Sequence, residues 1–263
     1  LTGNYGYSYF PDTFYGIGNN TAKDNEEKYT GRLCKINPII QREIMPNLFF
    51  GIQYDYASGN VSKMEKGGQL ESGHVLGSGG GYASGAGINL TWDSRDNNVY
   101  PVSGSFHQLS ASSYGSFLGS DYTFNTYLAD LRQYRQVFGS HIIAFQGVTC
   151  INTGRPSFQH MNDISSLGKY IRGYTQTLYI DKILLAFQTE YRLPLTRRFG
   201  VVAFAGFGQV AEKMNKITFD EFKPSAGMGV RFALIPEQKV NLRLDIGFGK
   251  GDSSFDISLM EMF

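Results

Sequence analysis

Arg172 lies between Ile171 and the pair Gly173-Tyr174, in a long connecting segment that spans 152–178. Glu190 follows in Gln188-Thr189-Glu190-Tyr191-Arg192-Leu193-Pro194, where side chains alternate between two faces. The chemistry within reach of these two residues is ion pairing. A guanidinium carried into a protein interior must find a carboxylate, because an unpaired buried charge is very costly. A forked contact from Arg172 to Glu190 meets that need. Gly173 would then permit a tight backbone at the loop tip, and Tyr174 would pack on an inner wall with its hydroxyl bonded. The competing reading is an exposed loop with an ordinary surface arginine. Catalytic chemistry has less support. His74, His107, His141 and His160 show no metal-ligand spacing, so no metal or cofactor is expected. Serine, histidine and aspartate are present without a nucleophile elbow, and no glycine-rich phosphate loop occurs. Asn162-Asp163 reads as loop chemistry rather than a calcium site. The expectation is a protein that is not an enzyme.

The elements that must position Arg172 and Glu190 are strands. Val240 to Phe248 alternates apolar and polar residues without a break, with Arg243 and Asp245 on the polar side. Similar runs recur from end to end. Leu48, Phe50, Ile52, Tyr54 and Tyr56 oppose Gly51, Gln53 and Asp55, and Ile183, Leu185, Phe187, Tyr191 and Leu193 oppose Ala186, Gln188, Glu190 and Arg192. Each run has the length of a tilted strand crossing a bilayer. The runs near 27–40 and 121–136 alternate poorly, and their faces stay unassigned. Short turns fall near 42–46, 94–103, 137–140, 194–198 and 236–239. Longer loops fall near 11–26, 58–79, 115–120, 152–178 and 211–222, with a brief one at 250–252. This predicts an all-β fold in one domain over 1–263: a single antiparallel transmembrane β-barrel of about 12 strands, with both termini on the periplasmic side; in the inward reading of the 152–178 loop, that loop plugs the lumen. Twelve strands and an inserted loop should leave little open pore. Gly85, Gly87, Gly206 and Gly247 either make room for the loop or ease strand curvature. Asp55, Asp93, Arg192, Arg243, Asp245 and Asp256 are expected to pair within the interior.

Bulk composition limits the alternatives. The formal net charge is +1, which offers no whole-chain attraction for nucleic acid. No apolar stretch is long enough for a spanning helix, while glycine and aromatic residues are abundant. Leu1 follows no basic or apolar leader, so a secretory signal is expected to have been removed, or the sequence starts late. Cys34 and Cys150 are placed on strands roughly opposite each other, either as two unpaired small residues or as a disulfide.

Four segments together resemble the BamA/TamA superfamily of outer-membrane assembly barrels (the bacterial surface antigen family). They are Asp93-Ser94-Arg95-Asp96-Asn97 closing on Pro101 and Gly104; Ile171-Arg172-Gly173-Tyr174, preceded by Gly168; the Glu190 segment; and Gly227-x-Gly229-Val230-Arg231 leading to Pro236. Their order and spacing over 80–263 carry the resemblance, and the N-terminal third resembles the family only softly. Two departures stand out. Family barrels usually have sixteen strands behind periplasmic polypeptide-transport-associated (POTRA) domains, so the resemblance leads one to expect a short, barrel-only member. The run Phe204-Ala205-Gly206-Phe207-Gly208 puts glycine where the family places an aspartate, leaving Glu190 as the expected partner of Arg172.

The resemblance implies a place in the bacterial outer membrane, among its lipid. It implies help in inserting or translocating proteins, or lipid, through a weak seam between the first and last strands. An unfolded client barrel or exported polypeptide would be the partner, with a separate periplasmic partner as another. Phe255, Ile257, Leu259 and Phe263 look like the family's C-terminal insertion signal, interrupted by Glu261. The alternative is a structural or small-solute transport barrel that has lost assembly activity.

Overall fold

The computed structural model describes residues 2–165 and 170–263. Its wall strands are β1 (Thr2–Phe14), β2 (Glu27–Met45), β3 (Leu48–Ser62), β4 (Gly81–Asp93), β5 (Gly104–Tyr114), β6 (Phe124–Gln136), β7 (Ile142–Gly154), β10 (Ile183–Pro194), β11 (Phe199–Ala211), β12 (Lys223–Ile235), β13 (Val240–Gly249) and β14 (Asp252–Leu259). These twelve form one antiparallel sheet in chain order. A short pair, β8 (Asn162–Asp163) and β9 (Ile180–Asp181), lies within the long loop between β7 and β10. No described helix is long and apolar enough to cross a membrane, and the crossing elements are strands.

Period-two alternation is what makes the sheet a membrane wall. Phe50, Ile52, Ile88, Phe145, Phe187, Phe207, Ile246 and Phe248 project from one face and are exposed, whereas Asn89, Gln146, Gln188, Glu190, Arg192 and Asp245 project from the other and are buried. A hydrocarbon-facing exterior around a polar interior is the pattern of a transmembrane barrel. The curl follows from the loop's contacts. Phe158 packs on Phe14 of β1 and Tyr29 of β2, Gln159 meets Gly59 of β3, and Asn152 of β7 donates to the His160 carbonyl. Ile171 meets Gly208 of β11, Gly173 meets Phe248 of β13, and the Gly173 amide donates to Ser254 of β14. One segment touches both ends of the sheet only if the sheet wraps around it.

Strands β2 and β6 also have one interior and one exterior face. On β2, Asn37 and Gln41 reach Asp55 and Asn89 inside the barrel, while Ile36, Ile40 and Ile44 are exposed outside. On β6, Asp130 and Tyr134 are buried, while Tyr127 and Leu131 face outward. Cys34 pairs across the ladder with outward Tyr7, and Cys150 is buried in the interior. The two cysteines therefore lie on opposite faces of the wall, and no disulfide joins them.

Short turns and both ends of the described chain share one end of the barrel. Alternation of short and long connections is looser than the sequence suggested, because the turn over 94–103 is as extended as the loop over 115–123. The interior is not completely filled. Two cavities of about 330 and 290 Å³ remain beside the loop on the β1–β3 side, with Lys35 lining both.

Candidate functional site

The loop tip reaches the mid-depth of the barrel against β10–β14. Ile171 and Tyr174 are buried with Cys150, Leu184, Ala186 and Val210 in one apolar cluster. The Tyr174 hydroxyl donates to the Pro224 carbonyl at 2.5 Å and accepts from the Lys250 amide at 3.1 Å. Gly173 has φ +96°. Of the four interior glycines singled out in the sequence, Gly247 faces the loop tip. Gly206 and Gly87 face neighbouring strands, and Gly85 faces the Tyr114 ring. Gly208, under Ile171, and Gly249, under the Tyr174 ring, also make room, and the alternation alone did not single them out. Gly168 lies outside the described residues.

Arg172 and Glu190 are brought together, with side chains 1% and 0% exposed and Nη2–Oε1 at 2.6 Å. The contact lacks the alignment of a hydrogen bond, so its attraction is coulombic. The expected fork onto one carboxylate is corrected, because Arg172 divides its fork. Nη1 donates to Asp245 Oδ2 on β13 at 2.7 Å. Asp245 supplies the second carboxylate that Gly206 does not. Alternation had placed Asp245 inside, but period-two reasoning cannot tell which interior charges meet three strands apart. The guanidinium also lies 3.5 Å over the Phe204 ring of β11, a cation–π contact. Gly227 and Gly229 on β12 permit this packing. A Cβ at Gly227 would meet Phe204 at 2.4 Å, and one at Gly229 would meet Asp245 Oδ1.

The charges extend toward the turn end. Glu190 Oε2 accepts from Arg192 Nε at 2.9 Å, and Asp245 Oδ1 accepts from Arg231. Arg243 bridges Asp245 at 3.6 Å and Asp256 of β14 at 2.8 Å. Four arginines (172, 192, 231 and 243) face four carboxylates (190, 245, 256 and 261), so the cluster is neutral. Neutrality makes its burial tolerable.

The turn after β4 is built by its own side chains. Arg95 donates twice to Asp93, at 2.8 and 2.7 Å. Asp96 Oδ1 accepts from the Val102 and Ser103 amides, and Gly104 has φ +93°. The Pro101 carbonyl faces Arg192 Nη1 at 3.4 Å, which ties the turn to the cluster.

The C-terminal row requires a correction. Phe255, Ile257 and Leu259 point outward and are 67, 62 and 54% exposed, but Phe263 is 4% exposed and lies inside against Tyr134 and Ala144. Met260 adopts φ +67° and breaks the alternation, so Glu261 turns inward to Arg231 at 2.8 Å and interrupts no outer row. Among the described residues no group of three or more His, Cys, Asp or Glu could hold a metal ion.

No curated protein matches the sequence. The fold is similar to a crystal structure of BamA from Haemophilus ducreyi lacking POTRA domains 1-3, with a TM-score of 0.61 and 11% identity. That alignment covers 98% of this chain and 57% of the other, so this chain spans little more than half of that relative's length. The Omp85 superfamily domain matches residues 4–252. A transmembrane barrel whose loop arginine meets interior carboxylates, matched to this domain over nearly its whole length, belongs to the Omp85 superfamily of the bacterial outer membrane.

Proposed function

We propose that this barrel assists the insertion or translocation of proteins, or of lipid, at the outer membrane, with no cofactor, energy source or catalytic group. One observation carries the reading: β1 and β14 are the two end strands of the single twelve-stranded sheet. Strand edges with unpaired N–H and C=O groups take up an added strand by β-augmentation. The partner is therefore an extended segment of an unfolded client barrel or exported polypeptide. The loop held at Arg172 acts as the plug that keeps the lumen narrow. Short turns and both chain ends face the periplasm, where a separate partner would deliver clients.

The test pairs proteoliposomes with a photo-crosslinker. An unfolded barrel client should insert faster into liposomes carrying this protein than into empty ones, and a crosslinker at Tyr7 on β1 should capture that client. Equal insertion rates and no capture would overturn the reading. The second reading, a small-solute transport barrel, is favoured by the two cavities beside the loop. Large, steady planar-bilayer currents with no effect on client insertion would support it.

A further inference from the structure

After Leu259 the chain leaves the wall and enters the barrel mouth at the turn end. Met260, at φ +67°, redirects it. Glu261 accepts from Arg231 Nε at 2.8 Å and from Asn241 Nδ2 at 3.3 Å. The main-chain oxygen of Phe263 accepts from Arg192 Nη2 at 2.8 Å, and the ring packs near Tyr134 at 6.5 Å. These are the same two arginines that hold the partners of Arg172. Two parallel relays result. One runs Arg172–Glu190–Arg192–Phe263, and the other runs Arg172–Asp245–Arg231–Glu261.

Sharing makes the relays coupled. Glu190 gives one oxygen to Arg172 and the other to Arg192, and Asp245 divides its oxygens between Arg172 and Arg231. When residues 261–263 withdraw, Arg192 and Arg231 each lose an acceptor in a space where an unpaired charge is costly. Both then draw on the carboxylates that hold the loop. We propose that segment 260–263 is a latch for the loop tip, with Arg192 and Arg231 as the positioning residues between them. Outward movement of β14 pulls the latch, loosens Arg172 and frees the loop. This rests on the reading of β14 as a movable sheet edge. Coupling between two such sites is reciprocal, so loosening the loop must loosen the tail by the same factor.

The test uses purified full-length barrel with Cys34 and Cys150 replaced by alanine. Ser165→Cys reports on the loop, because that side chain is buried at 1% exposure, and Met262→Cys reports on the tail. Glu261→Gln should raise maleimide labelling at position 165 about tenfold, and Arg172→Lys should raise it at 262 by a similar factor. Heat-modifiable migration on gels checks that the barrel is folded. Faster labelling at 262 with an unchanged rate at 165 in Glu261→Gln overturns the latch. If that variant does not fold, Phe263→Leu, which keeps every charge, takes its place under the same criterion. Labelling needs no client, so the latch and client insertion fail independently. Coupled labelling without insertion removes only the proposed function, and insertion with uncoupled labelling removes only the latch.

Discussion

Gly173 and Gly247 meet backbone to backbone where the loop tip crosses β13. A Cβ on Gly247 would sit 2.7 Å from the Gly173 nitrogen, and a Cβ on Gly173 would sit 2.7 Å from the Phe248 carbonyl carbon. Neither backbone can give way, since one is laddered in the sheet and the other is held by Arg172 and Tyr174. Gly173 carries the added strain of a left-handed φ.

Alanine at either glycine should therefore lift the tip off the wall. Overpacking costs about 1–3 kcal/mol, and the left-handed backbone adds roughly 1–2 kcal/mol at Gly173. Gly173→Ala should accordingly lower the urea midpoint of the refolded barrel more than Gly247→Ala does. Gly85→Ala is the control, since its neighbour is the Tyr114 ring and not the loop. Faster proteolysis of the loop in both glycine variants but not in the control would locate the effect.

A second prediction concerns the divided fork of Arg172. Asp245 lies against three arginines and Glu190 against two. Removing one partner from a buried pair costs about 3–5 kcal/mol. Both Glu190→Gln and Asp245→Asn should fall in that range, with Asp245→Asn the larger loss. Because each single variant leaves Arg172 one carboxylate and the double leaves it none, the double variant should lose more than the sum of the singles. Strict additivity in a denaturation cycle would show that the two carboxylates act separately.

Much of this arrangement was legible in the sequence, and the rest was hidden for physical reasons. The presence and facing of β3, β10 and β13 follow from a period of two with one apolar face, although β3 continues to Ser62, past the loop start expected near 58. The interior position of Glu190 follows from the same period. β6 resisted because Gln133 and Arg135 put polar groups outside near the turn end, opposite Arg132 and Tyr134. Asp245 could be placed inside but not beside Arg172, because that meeting depends on how the sheet curls. The inward tail was hidden more deeply. A left-handed methionine at 260 carries no compositional mark, so nothing in the alternation up to Leu259 shows that Phe263, grouped with the outer row by resemblance alone, turns inside.

A third prediction lies in the turn after β4. The Gly104 backbone has φ +93°, and a Cβ there would overlap the Ser94 carbonyl. Gly104→Ala should slow refolding or prevent it. Asp96→Ala removes an acceptor for two amides, Val102 at 2.8 Å and Ser103 at 3.0 Å. Each such bond contributes about 0.5–1.5 kcal/mol, so the denaturation midpoint should drop modestly with the barrel intact. The drop should vanish if the turn does not help to hold the structure.

The fourth prediction is a pH dependence at His160 in the long loop. Burial, with the nearby Lys35 ammonium acting in the same direction, pushes its imidazole down to about 4. The other groups facing it are Tyr122 and Phe124, which flank the ring, and Ser157, whose hydroxyl bonds Nδ1 at 2.7 Å. None of these favours the charged form. An unfolded histidine takes its proton near 6.5, so between there and about 4 the unfolded chain binds more protons than the folded one. Stability should be level above neutral pH and fall as the pH drops through that window, by up to about 2 kcal/mol at pH 5. His160→Gln should flatten the profile between pH 7 and 5 while lowering stability at neutral pH only slightly. If the variant and the parent keep parallel profiles over that range in urea denaturation, the imidazole is not the group that senses the proton.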